Sequence, residues 1–244
     1  MIAAWLHAAL VVFLVLVFPV WDRYETRRLK RDPSPAARVR VYRTTILWLW
    51  AATVLLLLTT SRADLFTPPR AASLGFLARD PDAAAGIVSG IAAGVLIGAL
   101  LPALLALANA GAREKLLKQL GTISFFLPRG GRERLYFAAL SLSAGICEEV
   151  IFRGFLIRYF DGLFGHPLLV WPILAAALVF GLDHGYQGWA GMLLTTVMAL
   201  VLSALYYGFG ALWLPMLLHA LIDLRILLIL PRRGLEAAEP ASAS

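Results

Sequence analysis

The sequence is poor in cysteine and in charge, and both absences narrow the class of protein. Its single cysteine, Cys147, excludes an intrachain disulfide and any metal site built from several thiolates. Cys147 lies in an apolar run, where a small packing residue is expected. Only 15% of the 244 residues are charged and 60% are hydrophobic, so water is not expected to be the main solvent of this chain.

The net charge of +7 does not indicate a nucleic-acid-binding protein, although the isoelectric point is near 10. A nucleic-acid interface needs its basic residues clustered in a patch or stripe. Here the basic residues lie between apolar runs, which is the pattern of membrane topology. We therefore expect a lipid bilayer, and no nucleic acid, as a partner.

Seven apolar segments are long enough, or nearly long enough, to cross a bilayer, which takes about 20 residues. The first is not preceded by positive charge and is followed by a basic cluster, so we interpret it as a retained span and not as a signal peptide. The fifth is short. The sequence thus predicts an all-α fold, a polytopic transmembrane helical bundle of about seven spans: Ala3 to Val20, Thr44 to Thr60, Ala84 to Ala108, Leu135 to Phe160, Leu168 to Leu182, Trp189 to Tyr207 and Ala211 to Leu230.

The distribution of Lys and Arg predicts the orientation of these spans. The segments between spans one and two and between spans three and four are rich in Lys and Arg, whereas the segment between spans two and three balances its arginines with aspartates. Because basic loops stay in the cytoplasm, we expect the N-terminus outside and the C-terminus inside. We therefore predict a multi-pass integral membrane protein that is located in a prokaryotic plasma membrane.

The chain divides into three predicted regions. Residues 1–134 hold spans one to three and the two basic segments, residues 135–230 hold a catalytic helical core, and residues 231–244 form a short disordered tail. No internal repeat is visible, so an inverted-repeat transporter has no support from the sequence beyond the number of spans.

Ionisable side chains inside the apolar runs are the informative positions, because each costs about 2.5 to 3.5 kcal/mol at the centre of a membrane helix. Spans one to three hold essentially none, and the C-terminal half holds almost all of them. Three different spans therefore each offer an acid or an imidazole. The residues are Glu148, Glu149 and Arg153 in span four, Asp183 and His184 at the end of span five, and His219, Asp223 and Arg225 in span seven.

Helical spacing predicts how some of these groups pair. Glu149 and Arg153 are four residues apart, so they share a helix face and can neutralise each other. Glu148 is rotated by about 100° from Glu149 on an α-helix, which leaves it without that partner. His219 and Asp223 also lie four residues apart.

Each of these residues also has a purely structural interpretation. Glu149 with Arg153 would then be a buried ion pair, and each histidine an interhelical hydrogen-bond donor. Near the helix ends, long side chains would reach polar surroundings by snorkelling, and the remaining histidines would lie at the membrane interface. Two carboxylates and two imidazoles on three spans are more than helix packing needs. The residues expected to snorkel are Asp183, Arg158 and Arg225, and the interfacial histidines are His7 and His166.

At these positions the chain resembles the CPBP family of intramembrane proteases, which includes type II CAAX prenyl proteases and bacteriocin-processing or immunity-related (Abi) proteins. Three motifs carry the resemblance, in the family's order, over about residues 135–230. The family pattern EExxxR matches Glu148, Glu149 and Arg153, FxxxH matches Phe180 and His184, and HxxxN or HxxxD matches His219 and Asp223.

The resemblance implies a catalytic role for four residues. In the family, the first Glu and the FxxxH histidine activate a water, and the later His with Asn holds the oxyanion; this implies Glu148, His184, His219 and Asp223 here. Asp223 departs from Asn: an ionised Asp only accepts hydrogen bonds, so we expect it to orient His219 or to be protonated. The support residues are Glu149, Arg153 and Phe180. Zinc is a possible cofactor, with the same four catalytic residues as its ligands, although H-E-x-x-H is absent.

The predicted function is an intramembrane endopeptidase acting on a membrane-embedded or lipid-anchored peptide or protein. Two alternatives from other classes stay open: a noncatalytic membrane scaffold or immunity protein, and a proton-coupled transporter that uses Glu148 and His184 as a relay. Complete motifs favour the peptidase over the scaffold.

Overall fold

The computed structural model describes residues 1–69, 81–166 and 168–230, and within these ranges the regular structure is helical. The all-α fold class is therefore confirmed. The predicted disordered tail lies outside the described residues. The helices are α1 (Ile2–Arg31), α2 (Pro35–Thr59), α3 (Arg62–Phe66), α4 (Pro81–Ala108), α5 (Ala110–Gln119), α6 (Gly131–Leu163), α7 (Val170–Asp183), α8 (Gly188–Phe209), α9 (Trp213–Leu224) and α10 (Ile226–Ile229).

Five helices in the described part of the chain are long and apolar enough to cross a membrane: α1, α2, α4, α6 and the helix that ends at Phe209. The fifth and seventh predicted segments form shorter helices. Helix α7 has 14 residues and ends at Asp183, and α9 has 12 residues and is interrupted at Arg225. At about 1.5 Å per residue, both are shorter than the hydrocarbon core of about 30 Å.

Helix α6 is the centre of the bundle. Most of its apolar stretch is buried inside the protein, whereas the other candidate spans expose most of theirs. Helices α2 and α9 pack along its first half, and α7 and the short helix α3 pack against its second half. The side chains of this central cluster are aromatic and aliphatic, including Phe152, Phe155, Leu156 and Phe180.

Two of the long helices contain π-helical turns, which periodicity did not indicate. In α1 the π turn covers Phe13–Val17, just before Pro19. Proline has no N–H for the carbonyl four residues earlier and its ring crowds that carbonyl, so a widened turn at residue 15 relieves the clash. In α6 the π segment covers Glu149–Leu156 and begins directly after Glu148.

The predicted orientation can be tested with two alanines at opposite ends of α2. Ala36 lies in the first turn of α2. Ala63 lies in α3, a few residues after the end of α2. Both alanines are exposed. We expect Ala63→Cys to react with a membrane-impermeant maleimide on intact cells and Ala36→Cys to react only after permeabilisation.

The native Cys147 is fully buried, so the parent protein supplies the unlabelled control. Replacing Ala36 also leaves the helix cap intact, because the hydroxyl of Ser34 accepts the Ala37 N–H. Labelling of both variants from the same side would contradict the proposed orientation.

Candidate active site

The four predicted catalytic residues line one cavity of about 520 Å³. Glu148 comes from α6, His184 from the residue that follows α7, and His219 and Asp223 from α9. A cavity of this size is within the range of small-molecule and peptide sites, about 300 to 1,000 Å³. The motif residues that are far apart in sequence are therefore brought together in space.

The two adjacent glutamates face different surroundings. The side chain of Glu148 is 14% exposed and lines the cavity, whereas that of Glu149 is completely buried. The helix changes from α to π between them. A π turn is wider than an α turn and is frequent at functional sites, because it changes the direction in which successive side chains point.

Glu149 is the central partner of the buried polar network. Its Oε1 atom lies 3.0 Å from Nη1 of Arg153, which is the ion pair predicted from the four-residue spacing. The same oxygen lies 2.8 Å from Nδ1 of His219 on α9. Arg153 also donates from Nη2 to the carbonyl of Ala199 on α8, at 3.3 Å. One carboxylate thus links three helices.

The partner of His219 differs from the expected one. Asp223 was expected to orient this imidazole or to be protonated. Its Oδ2 lies 3.8 Å from Nε2 of His219, which is beyond hydrogen-bond distance, so it does not orient the ring. Glu149 makes the orienting contact. Because a carboxylate accepts, Nδ1 of His219 carries the proton, and Nε2 faces the cavity between Asp223 and Glu148, whose Oε2 is 3.7 Å away.

His184 is held in one tautomer by the end of its own helix. Its Nδ1 atom lies 2.8 Å from the carbonyl oxygen of Phe180. A carbonyl only accepts, so Nδ1 donates, and Nε2 of the neutral ring keeps its lone pair. The side chain lines the cavity, so His184 presents a basic nitrogen for a proton.

The ring of Phe180 contacts both cavity histidines and the buried arginine. Its ring centroid lies 4.5 Å from that of His184 and 6.0 Å from that of His219. The guanidinium carbon of Arg153 lies 4.6 Å from the same centroid, a cation–π contact. Phe180 therefore fixes both imidazoles and separates the cavity from the buried arginine.

Close helix contacts at two glycines set these distances. A Cβ atom on Gly145 would lie 2.7 Å from the Cβ of Ala220, the residue after His219. A Cβ on Gly181 would collide with Thr196 and lie 3.0 Å from the carbonyl oxygen of Met192 on α8. Gly185 begins the 3₁₀ turn (Gly185–Gln187) that follows α7.

The expectation that three residues snorkel to polar surroundings is wrong for Asp183, which is 6% exposed; both carboxylate oxygens lack a hydrogen-bond partner among the described residues. Arg158 bonds to carbonyls of Asp64 and Thr67 at 3.0 and 3.2 Å. Arg225 lines the cavity and bonds to the carbonyl of its own helix neighbour.

Several polar cavity residues were missed by sequence reasoning, namely Asp22, Tyr186 and Gln187. Asp22 lies at the polar end of α1 among many charged residues, so nothing in the sequence separates it from them. Tyr186 and Gln187 follow His184 directly, and their position beside a motif histidine was the available signal.

Zinc was the cofactor suggested for these residues. Within residues 1–69, 81–166 and 168–230, no group of three or more His, Cys, Asp and Glu side chains is arranged to hold a metal ion. Nδ1 of His219 is bonded to Glu149 and Nδ1 of His184 to a carbonyl, so only the Nε2 atoms of these two rings could bind a metal ion.

Fold and site together define a polytopic helical membrane protein with a polar cavity among its helices. Residues 131–225 match the family model described as type II CAAX prenyl endopeptidase Rce1-like. The matched segment carries the three motifs, so the match supports the resemblance to CAAX-type intramembrane proteases. Neither a curated protein nor a solved structure matches the chain.

The two glutamates should respond differently to substitution. Glu149→Ala removes the partner of both Arg153 and His219, so we expect folded yield to fall, as for broken buried pairs that cost about 3 to 5 kcal/mol. Glu148→Gln should leave yield and thermal stability in detergent nearly unchanged, because no ion pair closer than 3.7 Å is lost. Equal stability of the two variants would contradict this division.

Gly145→Ala tests the contact that positions α9. The added methyl would lie less than 3 Å from backbone atoms of Ala220, so we expect a destabilisation of about 1 to 3 kcal/mol, as for overpacked cores. Gly162→Ala in the same helix is the matched control, because a Cβ there meets nothing within 4 Å. A melting temperature for Gly145→Ala at or above that of the control would show that α9 does not depend on this contact.

Proposed function

We propose that the chain is an intramembrane endopeptidase that hydrolyses a peptide bond with a water activated by Glu148 and His184. The observation that carries the proposal is the convergence of Glu148, His184 and His219 from three helices on one cavity, with Glu149 and Arg153 behind its wall. An intramembrane site needs such an enclosed polar space, because hydrolysis requires water and lipid excludes it.

Two free acceptors support the role in water activation. Oε2 of Glu148 is buried and has no hydrogen-bond partner among the described residues, and Nε2 of His184 keeps its lone pair. A buried acceptor without a protein partner is normally bonded to water. The two groups share one water: its oxygen attacks the scissile carbonyl carbon, and its proton passes to the base.

His219 supports the developing oxyanion. Since Nδ1–H is donated to Glu149, only an N–H on Nε2 can reach the cavity, which requires the imidazolium form. Carboxylate oxygens of Glu148, Glu149 and Asp223 lie 3.7, 2.8 and 3.8 Å from nitrogens of this ring, and the cation Arg153 contacts Glu149. When the tetrahedral intermediate collapses, the C–N bond breaks and the proton held by the base goes to the leaving amine.

The cavity walls fit a membrane-associated substrate. Beside the acids and imidazoles, the lining includes Phe18, Trp21, Phe125, Phe126 and Leu127. A peptide tail with an apolar anchor, membrane-embedded or lipid-anchored, would find both an apolar channel and a polar reaction centre there. Residues of the two basic segments lie around the cavity, so entry from the cytoplasmic side of a prokaryotic plasma membrane is the orientation we propose.

Substitution of the base is the direct test. Glu148→Gln preserves size and polarity, so the cleavage rate should fall by a factor of about 10² to 10⁴ while substrate still binds.

His184→Ala should lower the cleavage rate similarly, and the double variant should lose little more activity than either single variant, because groups that act as a unit are non-additive. His219→Ala should cost about 10² to 10³ for one oxyanion donor, and Asp223→Asn should be mild.

The substrate for these assays comes from trapping on Glu148→Gln in membranes of the source cell and identification of the retained protein. Glu114→Gln is the matched control, since Glu114 is exposed on α5, where it pairs with Lys118. Wild-type cleavage by both Glu148→Gln and His184→Ala would refute the peptidase. Retention without any cleavage would favour a scaffold, and proton-coupled flux in liposomes a transporter.

Zinc dependence is tested on the same assay by chelation and dialysis. Activity that persists in the treated protein supports the network of charged side chains as the complete site. Activity that is lost and restored by Zn²⁺ would show that the four residues rearrange around a metal.

A further inference from the structure

The oxyanion side of the cavity is short of one donor. An oxyanion hole normally presents two or more hydrogen-bond donors to the developing charge. Asp223 occupies the position where the motif also takes Asn, and an ionised carboxylate cannot replace the amide N–H. Of the motif residues, only His219 then donates toward this part of the cavity.

Tyr186 offers a further hydrogen-bond donor in the same cavity. It is in the 3₁₀ turn (Gly185–Gln187) after α7, and its side chain lines the same cavity as the four motif residues. Its ring centroid lies 5.9 Å from that of His184 and 5.4 Å from that of Phe126. Electrostatic interactions connect its hydroxyl first to Asp223 and then to Glu148.

The hydroxyl of Tyr186 has an uncommitted proton. Nε2 of Gln187 donates to the phenolic oxygen at 3.2 Å. The phenol therefore acts as an acceptor in this bond. Among the described residues, no acceptor takes its own proton, although the side chain is half-buried and lines the cavity. Accepting a bond polarises the O–H and makes it a better donor.

We propose that Tyr186 is a catalytic residue that donates its O–H to the oxyanion of the tetrahedral intermediate, beside His219. The inference rests on the proposed peptidase function and deepens it. Water adds to the carbonyl carbon, the π pair moves to oxygen, and the phenol donates a hydrogen bond without losing its proton. When the C–N bond breaks, the carbonyl re-forms and Tyr186 is unchanged. It supplies the donor that Asp223 lacks.

Tyr186→Phe tests this role, because the phenylalanine keeps the ring contacts with His184 and Phe126 and removes only the hydroxyl. With the trapped substrate, we expect kcat to fall by about 10² to 10³ and KM to stay within a few-fold. Tyr206→Phe is the matched control: Tyr206 is buried and lacks a hydroxyl partner among the described residues, but it lies outside the cavity.

A double-mutant cycle with Asp223→Asn distinguishes a catalytic role of Tyr186 from a structural one. If the role were structural, the loss of activity from Tyr186→Phe would be the same with Asp or Asn at position 223. Asn restores an amide donor beside the oxyanion, so the loss from Tyr186→Phe should be at least ten-fold smaller in that background. Equal losses in both backgrounds, or no loss in either, would overturn the proposal. So would a lowered melting temperature that accounts for the lost activity.

A peptide phosphinate with the sequence around the cleaved bond separates the oxyanion role from other roles, because its tetrahedral oxygens mimic the intermediate. Tyr186→Phe should weaken phosphinate binding in parallel with kcat and leave binding of the parent peptide unchanged. Weakening of both ligands alike would assign Tyr186 to substrate binding instead. Failure of Tyr186 alone leaves the effect of Glu148→Gln intact, whereas failure of the peptidase removes both.

Discussion

A single buried oxygen, Oε1 of Glu149, organises the polar interior of this protein. It contacts Arg153 on its own helix and His219 on α9, and Arg153 in turn reaches the backbone of α8. Buried charges are tolerated only when they are paired and hydrogen-bonded, so each of these helices holds its place partly because the others satisfy it. The orientation of His219 is a consequence, since its Nδ1 is consumed by this contact and its Nε2 must face the cavity.

The same arrangement separates a buried, ion-paired carboxylate from one that faces the cavity. Glu149 lies in the π segment and is fully buried, while Glu148 ends the α-helical part and faces the cavity. Close packing of Gly145 against Ala220 brings α9 near enough for the network to form. Apolar packing and the ion-paired network therefore depend on each other, because a wider separation of α6 and α9 would leave Glu149 without its contact to His219.

How much could be predicted depended on whether a contact is local. The pairing of Glu149 with Arg153 follows from a spacing of four residues within one helix, and the sequence predicted it. The bond from Glu149 to His219 joins residues seventy positions apart, and only the packing of α9 on α6 determines it. Asp223 lies four residues after His219 on the same helix, and this local spacing pointed to it as a partner of the imidazole. Convergence of the three motifs was expected from the family resemblance, not from spacing.

Hydropathy likewise located the apolar segments but not their helix ends. The last segment is apolar through Leu230, yet the helix is interrupted at Arg225, and the fifth ends at Asp183 although the next apolar helix begins soon after. Hydropathy sums side chains over a window, whereas a helix end is set by backbone hydrogen bonds and local packing. Asp183 was expected to reach polar surroundings because it lies at the end of an apolar segment. The packing of the folded chain buries it instead.

The end of α7 shows how closely helix termination and chemistry are joined at this site. The backbone N–H of His184 bonds to the carbonyl of Gly181, in a 3₁₀ pattern, and the imidazole N–H bonds to the carbonyl of Phe180. A carbonyl at a helix end inside a low-dielectric interior must find a donor. His184 therefore caps its helix with one ring nitrogen, and only the other is left for the proposed activation of water. Any substitution that removes the ring also uncovers this carbonyl, so lost activity at His184 combines a chemical and a structural effect, whereas at Glu148 the two are separable.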